Sequence, residues 1–427
     1  MDFVSHLKSY LSDEEIAKLL DSFNDEDKHA CLLNPSKMDD ETFLSLFPNV
    51  IKHPFVNHAY IYDKNEYQLG KSVYHDLGCF YLQEPSAMLP AFFLKPNKDD
   101  VVLDLCAAPG GKTIQSSFLM NNEGLIIAND LSRSRCNAIL ENVERLGLGN
   151  VVITNNDFSK IYQSYQNYFD KIILDAPCSG SGMFRKDDKM KDDWSYQKVL
   201  KNREIQKQLI LIAYSMLKEG GEMVYSTCSY SKEEDEDVIS YLLDNSDAQI
   251  EKIDIKDGYI NPLSPIGIRL MPSHFCGEGQ YVCHIRKPGK IEPTKFKNNS
   301  KFCSKLSSTY KDYDTQRFGD TLFAVSNMID TKGLRIIRHG VKVGEEQKGI
   351  FKYDIHYART LSKNDDFPSI ELTIDEVKQY LEGNQLNKEN KNKGYVLLTY
   401  HSNSIDIAKT DGRVIKNHYP KGLRRKY

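Results

Sequence analysis

Three observations predict an α/β fold built on a doubly wound, mostly parallel sheet. From Val101 onward, short apolar strands alternate with segments whose apolar residues recur at helical spacing. A glycine-containing turn, Asp104-Leu105-Cys106-Ala107-Ala108-Pro109-Gly110-Gly111-Lys112-Thr113, leads from the first of these strands into a helix. Two compact motifs, Asp175-Ala176-Pro177-Cys178-Ser179-Gly180-Ser181-Gly182 and Ser226-Thr227-Cys228-Ser229-Tyr230, each close a later strand. Sheets of this kind bind ligands beyond the carboxyl ends of their strands, and all three motifs lie there.

The elements follow in order. Ser12-Asp13-Glu14-Glu15 reads as a capping box that opens a helix through Ile16, Leu19 and Leu20. Residues 1–95 read as a small α+β domain with acidic, solvated stretches. Residues 101–106 are the first strand of the α/β unit, which spans 96–286, and Gly110-Gly111 turns it into a helix. Residues 125–130 form the second strand. A helix over 132–147 follows, with Cys136, Ile139, Leu140, Val143 and Leu146 on one face. Further strands are expected at 151–157, 171–175 and 222–227, with a long helix at 196–217. Ser231-Lys232-Glu233-Glu234 reads as a second capping box, for the helix after the last strand. A basic linker is expected at 287–309: from Arg286 the chain carries Lys287, Lys290, Lys295, Lys297, Lys301 and Lys305 against one acid, Glu292. The region 310–427 reads as β-rich, with short strands at 321–329, 334–337, 340–343 and 395–400.

Bulk properties exclude several classes. The 427 residues are too many for one ordinary core, which predicts two or three domains. A hydrophobic content of 40% speaks against wholesale disorder. The formal net charge of −4 rules out a polycation, so nucleic-acid contact has to come from local basic patches. Nine cysteines without paired short spacings fit reduced thiols in a cytosol better than a disulfide framework. No CxxC occurs, and no metal is expected. The start lacks a signal-peptide pattern, and the longest apolar run, 209–217, is far shorter than the ~20 residues of a membrane span. The expectation is a cytoplasmic protein without membrane association or an obligate protein partner.

The motifs carry the chemistry. Ala107, Ala108, Gly110 and Gly111 let backbone approach a ligand closely, and N–H groups at the following helix start can bind its polar groups. The spacing is neither GxGxxG nor GxxxxGK[ST], because the glycine four residues upstream is missing. Asp130, at the end of the second strand, can accept from ribose hydroxyls, and Asp157, at the end of the third, from an adenine amino group. A lone Asp there is more often a loop cap, but two at successive strand ends beside a glycine turn point to a nucleotide cofactor. Pro177 stiffens the turn after Asp175 and presents Cys178 to the cleft; Cys228 follows its strand in the same way. A single buried cysteine is usually a small hydrophobe, which is the reading for Cys31, Cys79, Cys136, Cys276, Cys283 and Cys303. Cys106 is expected to contribute its backbone. Two thiols at neighbouring strand ends beside a carboxylate point instead to thiolate attack on an electrophilic carbon while a cofactor supplies a group.

Taken together, these motifs resemble the Nop/Sun family of S-adenosylmethionine-dependent RNA cytosine-C5 methyltransferases. Leu82-Gln83-Glu84-Pro85-Ser86-Ala87-Met88, Arg269-Leu270-Met271-Pro272 and Gly277-Glu278-Gly279 agree with it. The end, Lys416-Asn417-His418-Tyr419-Pro420-Lys421-Gly422-Leu423-Arg424-Arg425, is similar to that of the bacterial RsmF-like branch, which acts on small-subunit ribosomal RNA and carries a PUA-like C-terminal module. The resemblance implies a Rossmann-like methyltransferase sheet at 96–286, an N-terminal accessory domain at 1–95 and a C-terminal RNA-binding region with a PUA-like module at 310–427. It implies S-adenosyl-L-methionine as cofactor, held by Cys106, Ala107, Ala108, Pro109, Gly110, Gly111, Lys112, Asp130, Asp157 and Asp175. It implies Cys228 as the nucleophile, Cys178 as the second cysteine that helps release product, and Asp175 as a partner for the base.

The expected partner is RNA, ribosomal RNA or the small ribosomal subunit above all. Alternatives are a transfer-RNA cytosine methyltransferase, a non-catalytic RNA-binding assembly factor that keeps the fold, and a dithiol redox enzyme. A further expectation concerns deletion from about residue 310. It should weaken RNA binding through loss of Lys416, Lys421, Arg424, Arg425 and Lys426, and spare cofactor binding.

Overall fold

The computed structural model describes residues 1–26, 28–186, 189–253, 255, 266–292, 294, 303, 305–310, 313–325 and 333–427. Residues 295–302 of the expected basic linker, and 326–329 of the strand expected at 321–329, lie outside the described residues.

The central sheet runs in the order Gln249–Ile250, Gln280–Arg286, Leu217–Thr227, Phe169–Asp175, Val101–Asp104, Leu125–Asn129, Val151–Thr154, Ile336–His339. Its five middle strands are parallel. Val101–Asp104, Leu125–Asn129 and Val151–Thr154 read as nearly continuous apolar runs because both faces are covered. Val102, Ile126, Ile153 and Ile173 point into one apolar layer, and Val101, Leu103, Ile127, Val152, Ile172 and Leu174 into the other. The chain lays two strands on one side of Val101–Asp104, then crosses to lay two on the other. The topological switch point therefore falls between Val101–Asp104 and Phe169–Asp175, where a ligand crevice is expected. The doubly wound α/β sheet predicted from the sequence is the observed one.

Local signals explain most element ends. Ser12 caps Asp13–Ser22 by accepting from the Glu15 N–H. Ser132 caps Arg133–Leu146, which buries Cys136, Ile139, Val143 and Leu146. One expected cap is absent. Residues 232–235 form a turn, the helix is Glu236–Asp244, and Ser231 does not cap it. The Glu234 side chain instead reaches inward to Ser179 and Ser229, because hydrogen bonds from buried hydroxyls to a carboxylate are stronger than a solvent-exposed helix cap. The third strand also stops early, at Thr154, and Asp157 caps the short helix Phe158–Ile161.

The N-terminal strands His29–Leu33, Ile51–Lys52, Ala59–Tyr62 and Phe80–Gln83 form an antiparallel sheet, buried on both faces except at the exposed edge strand Ile51–Lys52. Successive side chains point to opposite faces of a strand. Ala30, Leu32, Ile61 and Tyr81 accordingly pack into the layer that covers the central sheet. Cys31, Leu33, Tyr60 and Phe80 pack into a second core with Ile370, Val377, Tyr380, Val396 and Leu398 from the C-terminal chain.

Among the described residues, the C-terminal chain forms a four-stranded sheet over 314–353 and a five-stranded sheet over 369–416. The strand expected at 334–337 belongs to neither. Ile336–His339 pairs antiparallel with Val151–Thr154 and becomes an edge of the central sheet. The chain leaves that sheet at Gly340, whose φ of 66° suits glycine and whose Cβ would overlap the Ala324 carbonyl oxygen. Arg424 and Arg425 are not free tail charges. Arg424 donates to Tyr419 O and Asn417 Oδ1. Arg425 donates to the carbonyls of Gly70 and Ser72 and pairs with Asp76 at 2.6 Å. Lys416, Lys421 and Lys426 remain exposed. Among the described residues no helix is long and apolar enough to cross a membrane, and no group of three His, Cys, Asp or Glu is placed to hold a metal ion.

Candidate active site

A cleft of about 440 Å³ opens at the switch point. Its wall includes Cys106, Ala108, Asp130, Asp157, Asp175, Cys178 and Cys228, with Leu131, Phe158, Leu209 and Ile212 as apolar faces.

The glycine turn forms one side. Asp104 ends the first strand fully buried and accepts from Thr113 Oγ1 at 2.6 Å. Burial pushes its carboxyl up to about 7, against the lowering effect of that hydrogen bond. Gly110 holds a φ of 110° while its N–H donates to Ala107 O at 2.7 Å. Gly111 abuts the N-terminal sheet, where a Cβ would lie 2.9 Å from Gln83 Nε2. Of the seven residues expected there, Cys106 and Ala108 line the cleft, Ala107 and Gly110 are buried, Pro109 is exposed, and Lys112 reaches Asp175 on the cleft wall.

Asp130 is 3% exposed. One oxygen accepts from the Ser132 N–H at 2.8 Å; the other lies 3.4 Å from both the Ala108 N–H and Arg135 Nη2. Arg135 also donates to Ala108 O at 2.8 Å, tying the turn to the second strand end. Asp157 accepts from Ser159 Oγ at 2.5 Å and pairs with Lys160 at 3.1 Å, and these partners hold its carboxyl below the usual range. The loop that carries Asp157 is anchored from the C-terminal chain. Asn155 N donates to Arg335 O at 3.0 Å, and Asn156 exchanges hydrogen bonds with Gly333 O and Arg335 N at 3.0 and 2.9 Å.

Asp175 sits at the end of the next strand across the switch. Lys112 Nζ donates to its Oδ2 at 2.7 Å, while Ser226 Oγ and Gln280 Nε2 donate to its Oδ1 at 2.7 and 3.2 Å. Burial works against the Lys112 charge, but the charge and hydrogen bond of Asp175 carry the ammonium above its usual range. The two strand-end cysteines meet: Cys178 Sγ lies 3.0 Å from Cys228 Sγ, and both are free thiols. The hydrogen bond to Cys228, burial, and the nearby charges of Cys228, Glu234 and Asp175 push the Cys178 thiol well up, so it keeps its proton. Cys31, Cys79, Cys136 and Cys283 are buried, and burial lifts Cys79 to about 11 and Cys283 to about 12.

Comparison with known proteins places this arrangement. The family described as 16S rRNA methyltransferase RsmB/F matches residues 91–286. The N-terminal domain of 16S rRNA methyltransferase RsmF matches 1–85, and the methyltransferase RsmF PUA domain matches 367–425. The chain is 33% identical over 388 residues to the ribosomal RNA small subunit methyltransferase F of Vibrio vulnificus, covering 84% of this chain and 82% of that one. The chain belongs to the ribosomal RNA small subunit methyltransferase F family. The Vibrio campbellii member is 32% identical over 399 residues, with the same 84% and 82% coverage. Among solved structures, a methyltransferase homolog protein from Pyrococcus horikoshii superposes with a TM-score of 0.58 at 28% identity, over 65% of this chain and 92% of that one.

As a member of the methyltransferase F family, the chain is an S-adenosylmethionine-dependent RNA methyltransferase. The cleft fits that cofactor's chemistry. It offers carboxylates at Asp130 and Asp157 for hydroxyl and amino donors, and apolar faces at Leu131 and Phe158 for a flat ring. Several residues in and around the methyltransferase F cleft were not singled out from sequence: Arg135 and Asn156 line it, while Gln206, Glu234 and Gln280 lie outside its wall. Arg135, Asn156, Gln206, Glu234 and Gln280 act through contacts with segments remote in the chain, which no local motif reports. Ser226 was within reach, since it lies inside the Ser-Thr-Cys-Ser motif.

Proposed function

We propose that this chain methylates C5 of a cytosine in small-subunit ribosomal RNA, in the cytoplasm where ribosomes are assembled, through a covalent bond between Cys228 and cytosine C6. The carrying observation is the pair of free thiols 3.0 Å apart beside a Lys112-paired Asp175 in the same cleft as Asp130. Methyl transfer to a ring nitrogen or a hydroxyl has no use for such a pair, whereas cytosine C5 is a poor nucleophile until a thiolate adds to C6. The names of the Vibrio relatives support ribosomal RNA as the target.

In this reading Asp130 accepts from the ribose and Asp157 from the adenine amino group of the cofactor, with Cys106 and Ala108 forming the adjacent wall. The bound cofactor supplies an electrophilic methyl group. Cys228 adds to C6 as its thiol proton passes to N3, and Asp175, held by Lys112, Ser226 and Gln280, accepts from the N3–H so formed; that proton returns to the thiolate when it leaves. C5 takes the methyl group, a base removes the C5 proton, and the C5–C6 double bond re-forms as the sulfur–C6 bond breaks and the Cys228 thiolate leaves. Cys178, protonated beside Cys228, assists that release. The target base has to be unpaired or extruded to enter the cleft.

Mapping 5-methylcytosine in cellular RNA with and without the protein tests the target; a methyl mark appearing only in transfer RNA, or on another atom, overturns it. Cys178→Ala tests the chemistry. It should accumulate a covalent RNA–protein adduct that runs as a slow band on a denaturing gel, and absence of any adduct with RNA and cofactor bound removes Cys178 from release. Asp130→Ala should weaken cofactor binding at least tenfold, since a hydrogen bond to a charged group is worth ~1.5–3 kcal/mol. An unchanged dissociation constant in calorimetry returns Asp130 to a loop-capping role.

A further inference from the structure

One carboxylate joins the two thiol loops. Glu234 is 0% exposed, in the turn that was expected to be a helix cap. Its Oε1 accepts from Ser179 N at 2.8 Å and from Gln206 Nε2 at 3.2 Å. Its Oε2 accepts from Ser179 Oγ at 2.5 Å and Ser229 Oγ at 2.6 Å. Ser179 directly follows Cys178, and Ser229 directly follows Cys228. Gln206 also donates to Pro177 O at 2.8 Å, so the same cluster grips the residue before Cys178. Glu234 itself is fixed by Tyr225, whose hydroxyl donates to the Glu234 carbonyl at 2.6 Å from the strand that ends just before Cys228.

We propose that Glu234 is a positioning residue that holds the Cys178 and Cys228 loops in mutual register, so that Cys178 stays beside Cys228 while Cys228 is bonded to the base. This rests on the thiol chemistry proposed above. Burying a carboxylate is unfavourable unless its lone pairs are satisfied, and here the four donors come from the two cysteine loops and from Gln206, which grips one of them. A role confined to stability would be served by apolar packing at this point. The geometry does more: it leaves the two sulfurs in contact although their loops come from different strands. The loop at 177–184 is also tied to the Cys228 loop further along, by Gly182 N to Cys228 O and by Tyr230 N to Ser181 Oγ, both at 2.9 Å, so loss of the clamp loosens the part next to Cys178. The consequence falls on breakage of the sulfur–C6 bond after the C5 proton has gone to its base. Cofactor affinity is not affected, because Glu234 does not line the cofactor cleft.

The test uses the full chain with ribosomal RNA and S-adenosylmethionine. Glu234→Gln keeps the shape but removes one acceptor, and should slow product release at least fivefold. Adduct should accumulate on denaturing gels while the cofactor dissociation constant stays within twofold. Ser179→Ala, a milder change should Glu234→Gln fail to fold, should show a smaller accumulation in the same direction. In a Cys178→Ala background, Glu234→Gln should add nothing to adduct accumulation, since both changes remove one function. Additive effects, or turnover that falls together with cofactor affinity and without adduct, overturn the proposal in favour of a purely structural role. If Cys178→Ala alone accumulates no adduct, the thiol chemistry itself fails. If it does accumulate adduct and neither Glu234→Gln nor Ser179→Ala does, only the positioning role fails.

Discussion

Cys228→Ala is expected to abolish methylation while leaving cofactor binding almost intact. The thiol is asked to bond to the base, and no side chain substitutes for it: Cys178, 3.0 Å away, is held as a protonated thiol by its hydrogen bond to Cys228 and by burial. Removing a covalent nucleophile typically costs several orders of magnitude, so a loss of roughly a thousandfold or more is expected. Asp130 and Asp157, proposed to hold the cofactor, are bonded to Ala108, Ser132 and Ser159 and not to Cys228. A dissociation constant within twofold of the parent chain should therefore accompany the loss. Labelled-methyl transfer and calorimetry read the two quantities separately. Turnover above a few per cent of the parent would take the nucleophile role away from Cys228.

Deleting residues from 310 onward is expected to destroy cofactor binding and cooperative folding, not RNA docking alone. This reverses the expectation from sequence, and three contacts explain why. Ile336–His339 is a strand of the central sheet, and its loss strips the partner from Val151–Thr154. Gly333 and Arg335 hold Asn155 and Asn156, next to Asp157 on the cleft wall. Ile370, Val377, Tyr380, Val396 and Leu398 share a core with Cys31, Leu33, Tyr60 and Phe80, so truncation would uncover the part of that core which Phe43 and its neighbours do not cover. Apolar area returned to water is unfavourable by about 25 cal/mol per Å², and the net stability of a domain is small beside such terms. The checks are circular dichroism, the unfolding midpoint and calorimetric cofactor binding of the truncated chain. A cooperative transition with unchanged cofactor affinity would mean that these contacts contribute little. A clean test of RNA docking removes charge at the exposed Lys416, Lys421 and Lys426 and keeps the chain whole.

The parallel sheet and the meeting of several strand-end residues at one cleft were legible because each depends on short-range rules. Buried parallel strands read as apolar runs such as Val101–Asp104, and a helix reads as the spacing of Cys136, Ile139, Val143 and Leu146. Asp130, Asp175, Cys178 and Cys228 could be placed together because residues at the carboxyl ends of neighbouring parallel strands converge. What stayed hidden depends on partners far away in the chain. Ser231-Lys232-Glu233-Glu234 carries a valid capping signal, yet the hydroxyls of Ser179 and Ser229 capture Glu234. The close approach of Gly111 to Gln83 of the N-terminal sheet likewise leaves no local signal. Arg424 and Arg425 read as free basic charge, yet their hydrogen bonds end in the molecule itself. Local pattern settles which elements form and which side chains reach the strand ends. Tertiary packing alone decides which polar groups find each other, since an electrostatic or hydrogen-bond partner is chosen by distance in space and leaves no periodic trace in the chain.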